Sequence, residues 1–288
     1  MLFDSLQQFP VFLIGFIFLL GLMVGSFLNV VIYRLPVMMD QQWRRDCLEY
    51  LKLPPEAQGE VFNLLFPRSR CQLCKTEIKA YQNIPVLSYV LLQGKCAACG
   101  ATISMRYPLI ELLTGLCSAL VAWRFGFCLQ MLFALLLTWS LIALSFIDID
   151  RQLLPDSITL PMLWLGLLLS LFSIFTDSRA SIIGALAGYL SLWSVFWLFK
   201  LITGKEGMGF GDFKLLALFG AWLGWQYLPL IILLSSLVGA VIGSLVMAVK
   251  KLALSQPIPF GPYLAAAGWL ALLWGKELNT LYLHLAGL

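Results

Sequence analysis

Eight apolar stretches follow one another along this chain and leave few options for its fold. They cover residues 9–33, 108–125, 128–147, 157–175, 180–199, 213–225, 227–249 and 260–275. Hydrophobic residues make up 60% of the chain, charged residues only 12%, and the mean hydropathy is +0.89. About 20 apolar residues is the length that a helix needs to cross a bilayer. The sequence therefore predicts an all-α polytopic membrane protein with about eight transmembrane helices, although the short sixth stretch leaves seven spans possible.

The basic residues predict the orientation of these helices. With eight spans, all of the 19 lysines and arginines except Arg124, Arg179 and Lys276 fall on one side of the membrane. Because lysine and arginine are concentrated on the cytoplasmic side, we expect the long polar segment to be cytoplasmic. The predicted regions are a first transmembrane helix (1–33), a cytoplasmic zinc-binding loop domain (34–107) and a transmembrane core (108–288). The net charge of +4 follows from this topology, so we expect contacts with membrane lipid and none with nucleic acid.

The zinc prediction rests on two Cys-x-x-Cys pairs in the polar segment. The four thiols belong to Cys71, Cys74, Cys96 and Cys99, and residues 75–95 separate the pairs. Zinc is often held by four thiolates in a tetrahedron, and a small loop needs such a staple because its apolar core is small. Disulfides are rare in the reducing cytoplasm. The spacing therefore favours one structural Zn²⁺, whose four protein ligands leave no open position for catalysis.

Two carboxylates beside apolar stretches are candidates for chemistry, because ionisable groups are costly at membrane depth. Asp212 follows the alternating glycines of residues 207–211, and Asp148 ends another apolar stretch. Two such side chains can share a proton, so that one activates water while the other protonates a leaving group. Helix capping would explain Asp212 but not the glycines before it. Position favours Asp148 as its partner, whereas we interpret Asp150 as solvated and Asp156 as a helix cap.

A series of motifs extends through nearly the whole chain in a fixed order. They occupy residues 25–36, 70–74, 83–89, 94–99, 103–111, 148–156, 207–214 and 258–262. In these motifs the chain resembles the type IV prepilin peptidases, the bifunctional leader peptidases and N-methyltransferases of bacterial pilus and type II secretion systems. The joint order of the motifs makes the resemblance specific.

The resemblance implies a function and its site residues. It implies that Asp148 and Asp212 are the catalytic pair of an intramembrane aspartic endopeptidase. This enzyme would cleave the leaders of prepilins and pseudopilins at the cytoplasmic face of the bacterial inner membrane. It also implies N-methylation of the new N-terminal residue by S-adenosylmethionine, a function to which Gly94 and Lys95 would contribute. The alternatives are a presenilin-like protease that shares the glycine–aspartate motif, a zinc scaffold, and a proton- or ion-coupled transporter with a cytoplasmic zinc module.

Overall fold

The computed structural model describes residues 10–54, 62–71, 73–205, 207–250 and 259–285. Within these residues the protein is helical apart from loops and two isolated antiparallel bridges. The helices are α1 (Pro10–Tyr50), α2 (Leu87–Leu91), α3 (Arg106–Phe125), α4 (Leu129–Arg151), α5 (Asp156–Ser170), α6 (Ser178–Thr203), α7 (Phe210–Leu223), α8 (Leu228–Lys250) and α9 (Gly261–Leu285). Each predicted apolar stretch overlaps one helix of 14 residues or more, which confirms the all-α prediction. Phe9 and Ile258, which begin a predicted span and the last motif, lie outside the described residues.

The helices differ in whether they can cross a membrane by themselves. Among the described residues, five spans are long and apolar enough, and the protein is therefore a multi-pass membrane protein. These spans are Pro10–Tyr50, Arg106–Phe125, Leu129–Arg151, Ser178–Thr203 and Trp225–Leu245. In contrast, α5 and α7 contain 15 and 14 residues, fewer than the about 20 that a crossing needs. Almost all of α7 is buried, as expected for a helix that is apolar on every side, and it packs against α5, α6, α8 and α9.

The sequence left open whether the sixth and seventh apolar stretches form one helix or two, and the structure shows where they separate. Gly224 ends α7 with a φ of 88°, a left-handed conformation that glycine adopts without a steric cost. A short turn, Trp225–Tyr227, then leads into α8. The two stretches are therefore two helices rather than one.

The first helix is longer than the sequence predicted. α1 does not end at residue 33 but continues through Pro36 to Tyr50. Residues 34–50, which the prediction assigned to the loop domain, are therefore helical. The prediction followed the end of the apolar stretch, whereas the helix continues beyond it and contains Pro36, although proline inside a helix usually breaks it.

The chain forms two compact units, Met1–Phe127 and Cys128–Leu288. In the first, α1 packs against α3 through small residues: a Cβ added to Gly21 would lie 2.6 Å from Oγ of Ser118. In the second, Gly184 of α6 lies directly against the backbone of Gly220 in α7. Small residues at such contacts let membrane helices approach closely. In the second unit this close packing encloses α7, which carries Asp212.

Candidate active site and metal centre

Asp148 is a buried carboxylate held by the start of another helix. It lies in the last turn of α4 and is 6% exposed. Its Oδ2 atom accepts a 3.0 Å hydrogen bond from the backbone N–H of Gly261, the first residue of α9. The first N–H groups of a helix have no acceptor within the helix and carry partial positive charge. The Asp148 carboxylate therefore accepts an N–H that would lack a partner within α9, and this hydrogen bond fixes the position of the carboxylate.

Asp212 lies close to Asp148 in the same compact unit. It is in the first turn of α7 and is 7% exposed. Its backbone N–H donates to the carbonyl oxygen of Gly209 at 3.3 Å, so the glycine run turns directly into the helix. The carboxylates of Asp148 and Asp212 are near enough to interact electrostatically. The structure thus brings together the two side chains that the sequence paired, in an arrangement that suits acid–base chemistry.

Glycines allow these helix ends to converge on one side chain, Leu154. A Cβ added to Gly211 would lie 2.8 Å from Cβ of Leu154, and one added to Gly261 would lie 3.2 Å from its Cδ2. The same Cβ on Gly261 would lie 2.6 Å from Oδ2 of Asp148. At Gly209, by contrast, no described atom lies within 4 Å of an added Cβ. Packing among the described residues therefore explains Gly211 and Gly261 but not Gly209.

The two other aspartates of this region face solvent. Asp150 is exposed although it follows Asp148 by two residues. Asp156 is not the cap that the sequence suggested, because it is the first residue of α5 itself and Pro155 occupies the capping position. Its carboxylate forms an ion pair with Nζ of Lys214 at 2.7 Å. This pair joins the start of α5 to Lys214 near the start of α7, two residues after Asp212.

The four cysteines of the polar segment form one cluster in the first compact unit. The Sγ atoms of Cys71, Cys74, Cys96 and Cys99 all lie within 4.8 Å of one another. Those of Cys71 and Cys99 are 3.9 Å apart, close to the about 3.8 Å expected between two thiolates in a tetrahedron with Zn–S bonds of about 2.3 Å. Sγ of Cys74 lies 3.3 Å from Oγ1 of Thr76, and hydrogen bonding with the side chain and backbone of Thr76 lowers the pKa of Cys74 to about 6. The donor set and spacing fit a tetrahedral metal ion.

Both cysteine pairs are built as the same tight turn. The N–H of Cys71 donates to the carbonyl of Thr76, and the N–H of Cys96 donates to that of Ala101. The residue after the second cysteine has positive φ in each turn, 60° at Lys75 and 70° at Gly100. Antiparallel bridges close the turns, between Arg70 and Glu77 and between Lys95 and Thr102. Each turn presents two thiols, so local backbone hydrogen bonds determine most of the cluster geometry.

Gly94 and Lys95 lead from α2 into the second of these turns. Gly94 is buried with a φ of 67°, and an added Cβ would lie 2.8 Å from the Tyr89 hydroxyl oxygen. Its carbonyl accepts a 2.7 Å hydrogen bond from Ile103. Lys95 is exposed. Gly94 is therefore required by the backbone geometry of the turn, whereas the Lys95 side chain is available to a ligand.

Sequence reasoning missed the role of Gly261 beside Asp148. Gly261 entered only as part of the last motif, and no local pattern indicates that its N–H meets a side chain 113 positions earlier. Leu154 was likewise part of a motif without an assigned role. The ordered motifs that contain Gly261 and Leu154 could have indicated that these residues are important. Only the packing of α4, α7 and α9 shows what they contact.

Comparisons with known proteins find matches over nearly the whole chain. Residues 19–125 match the family described as Bacterial Peptidase A24 N-terminal domain, and residues 135–244 match the Type IV leader peptidase family. Three relatives are each named Prepilin leader peptidase/N-methyltransferase. The protein of Stutzerimonas stutzeri is 59% identical over 93% of both chains, that of Pseudomonas aeruginosa 55% over 99%, and that of Legionella pneumophila 44% over 96%. No solved structure matches the chain significantly. With such identity over nearly its whole length, this chain belongs to the prepilin leader peptidase/N-methyltransferase family.

Proposed function

We propose that this protein cleaves the leader peptides of type IV prepilins and type II secretion pseudopilins and then N-methylates the new N-terminal residue. The relatives' shared name supports both activities. The observation that carries the peptidase assignment is the pair of buried carboxylates, Asp148 and Asp212, at two converging helix ends. Nothing in the comparisons supports the transporter alternative, in which these acids would relay protons.

For cleavage, the two aspartates act as a general base and a general acid. The apolar segment of the substrate packs among the helices, and its scissile peptide unwinds beside the glycine run. The ionised carboxylate takes a proton from water as the water oxygen adds to the carbonyl carbon. The other carboxyl group gives its proton to the peptide nitrogen as the C–N bond breaks. No covalent intermediate forms, and the Gly261 N–H keeps Asp148 in position throughout.

For methylation, we propose a role for Gly94 and Lys95 in the first compact unit. S-adenosylmethionine, when bound, would supply an activated methyl group to the new α-amino group. The pKa of an α-amino group is normally about 7.7–8.0. The exposed Lys95 binds the donor, and Gly94 positions Lys95 through the left-handed turn. The proposed role of Gly94 is therefore to set the backbone conformation of the turn, and that of Lys95 is to contact the methyl donor with its side chain.

The four-cysteine cluster is proposed to hold one structural Zn²⁺. Cys71, Cys74, Cys96 and Cys99 supply all four ligands, which closes the coordination sphere. The ion would fasten the two cysteine turns to each other and so order the loop that carries Lys95. We place the protein in the bacterial inner membrane with the cysteine cluster and the aspartates on the cytoplasmic side, where lysine and arginine are concentrated. Its partners there are the pilin precursors and membrane lipid, and no nucleic acid.

The peptidase assignment is tested by single substitutions that keep size and remove charge. Purified protein in lipid vesicles is incubated with a prepilin, and cleavage is followed by the change in substrate mass. Asp148→Asn and Asp212→Asn should each lower the rate at least about 100-fold, as expected for loss of an acid or base. Asp150→Asn is the matched control, because this exposed neighbour lies in the same turn. Cleavage at the parent rate by either of the first two variants would refute the paired-carboxylate assignment.

A further inference from the structure

One turn of the polar loop is bound to the membrane-spanning helices of the first compact unit. The backbone N–H of Val86 donates a 2.7 Å hydrogen bond to Oε2 of Glu111. Glu111 lies in the second turn of α3, is 8% exposed, and also forms a hydrogen bond with the Ser26 hydroxyl of α1. The loop at Val86 is therefore at the level of residues that belong to apolar spans.

The depth of this contact follows from the positions of two arginines. Arg34 on α1 and Arg106 on α3 mark where the apolar stretches end. Ser26 precedes Arg34 by about 12 Å along its helix, and Glu111 follows Arg106 by about 8 Å. Because side chains on a helix tilt toward its N-terminus, the Glu111 carboxylate reaches back toward Arg106, whereas the Ser26 side chain points away from Arg34. The Glu111–Ser26 contact therefore lies about 8–12 Å inside the level of the two arginines. Val86 therefore lies near the boundary between lipid headgroups and acyl chains.

The segment around Val86 turns its apolar side chains outward at this depth. The exposed fractions are 45% for Ile84, 52% for Leu87, 64% for Val90 and 72% for Leu91. Leu87, Val90 and Leu91 are spaced by three and four residues, which places them on one face of the α2 turn; Ile84 lies in the loop just before this turn. Ser88 and Tyr89 face the other way and are half-buried, and the Tyr89 hydroxyl donates to the carbonyl of Ile103. A surface with apolar side chains outward and polar ones inward is the reverse of the arrangement that water favours.

The backbone of the segment is adapted to an environment without water. A backbone N–H that lacks a partner is costly in lipid, and irregular backbone is tolerated there only where protein groups satisfy it. Val86 has a φ of 58°, which is unfavourable for a β-branched residue, and the Glu111 carboxylate accepts its N–H. Lys79 and Lys95 are exposed on either side of the segment, where anionic lipid headgroups attract basic side chains.

We propose that residues 84–91, the 84–91 segment, lie in the lipid–water interface, with Ile84, Leu87, Val90 and Leu91 against lipid and Glu111 holding the backbone through Val86. The segment then anchors the cysteine-clustered loop to the membrane surface. Two observations support lipid as the occupant of this face: its depth relative to Arg34 and Arg106, and the basic residues beside it.

Photocrosslinking of the full chain in vesicles of phosphatidylglycerol and phosphatidylethanolamine tests this placement. The photoreactive residue p-benzoylphenylalanine replaces Leu91 in one variant and Leu51 in the matched control. Leu51 is a leucine of similar exposure, 62%, just beyond the end of α1. It lies about 25 Å from Arg34 along the axis of α1. We expect several-fold more lipid adduct, detected by mass spectrometry, at Leu91 than at Leu51. Equal lipid adducts at both sites, or attachment of Leu91 to protein instead of lipid, would overturn the proposal.

The role of Glu111 is tested in the same assay. Glu111→Gln keeps a side-chain oxygen that accepts the Val86 N–H, whereas Glu111→Leu removes it. With the photoreactive group at Leu91, we expect Glu111→Gln to retain the lipid adduct and Glu111→Leu to lower its yield about tenfold, since a buried N–H then lacks an acceptor. Metal content of each purified variant checks that the loop is folded. Full adduct yield in the Glu111→Leu variant would show that Glu111 does not hold the segment.

Discussion

Replacing Gly261 with alanine should disturb the Asp148 carboxylate without changing any ionisable group. Gly261 begins α9, and its N–H is the hydrogen-bond donor to Oδ2 of Asp148 at 3.0 Å. An added Cβ would lie 2.6 Å from that same oxygen and 3.2 Å from Cδ2 of Leu154. The methyl group and the hydrogen bond therefore compete for one carboxylate position.

The expected size of the effect follows from these distances. Cβ atoms in real structures essentially never approach another atom within 3.0 Å, and ordinary contacts begin at 3.4 Å. The Asp148 oxygen must therefore move by about 0.4–0.8 Å, which stretches its hydrogen bond beyond the usual range. A hydrogen bond to a charged group contributes about 1.5–3 kcal/mol, and misplacing a reacting group by about 1 Å can cost 100-fold in rate. We expect Gly261→Ala to slow leader cleavage about 10- to 100-fold.

The assay measures kcat for cleavage of a prepilin in vesicles, and separately the methylation of an already cleaved pilin. The control is Gly15→Ala, because no described atom lies within 4 Å of a Cβ added to Gly15. The expected result is a slow peptidase with normal methylation, since Gly261 and the cysteine cluster belong to different compact units. Cleavage by Gly261→Ala at the rate of the control would refute the reasoning, and equal loss of both activities would show general unfolding instead.

Three further predictions concern the glycine run and the loop. Gly209→Ala should leave thermal stability unchanged and lower kcat/KM for a prepilin, because the open space beside Gly209 would receive the scissile backbone; unchanged kinetics would exclude that approach. Lys95→Ala should lower methylation while cleavage and metal content stay normal, and normal methylation by this variant would contradict the role assigned to Lys95. Gly94→Ala should lower methylation together with metal content, because the added Cβ would meet Tyr89. Elemental analysis should find one zinc ion per chain, and Cys74→Ser or a strong chelator should remove it and expose the loop to proteases; a metal-free, protease-resistant loop would be the opposite result.

Much of the architecture could be predicted because it depends on neighbouring residues. Apolar stretches separated by short polar breaks specify the helices of a membrane protein, since every backbone group there must be satisfied within its own segment. The cysteine turns are equally local. Hydrogen bonds such as Cys96 N–H to Ala101 carbonyl close each turn within a few residues, and the Cys-x-x-Cys spacing then presents both thiols. The full length of α1 was missed because hydropathy reports the membrane boundary and not the end of a helix.

For each of the two site carboxylates, the sequence predicted the place at a helix end but not the position in space. The sequence by itself determined that Asp148 ends one apolar helix and that Asp212 begins another. Tertiary structure decided that these ends meet, that α9 supplies the Gly261 N–H to Asp148, and that α7 is enclosed by other helices. The physical reason is the range of the interactions. Hydropathy and turn hydrogen bonds act between near neighbours, whereas contacts between distant helix ends depend on how closely whole helices can pack.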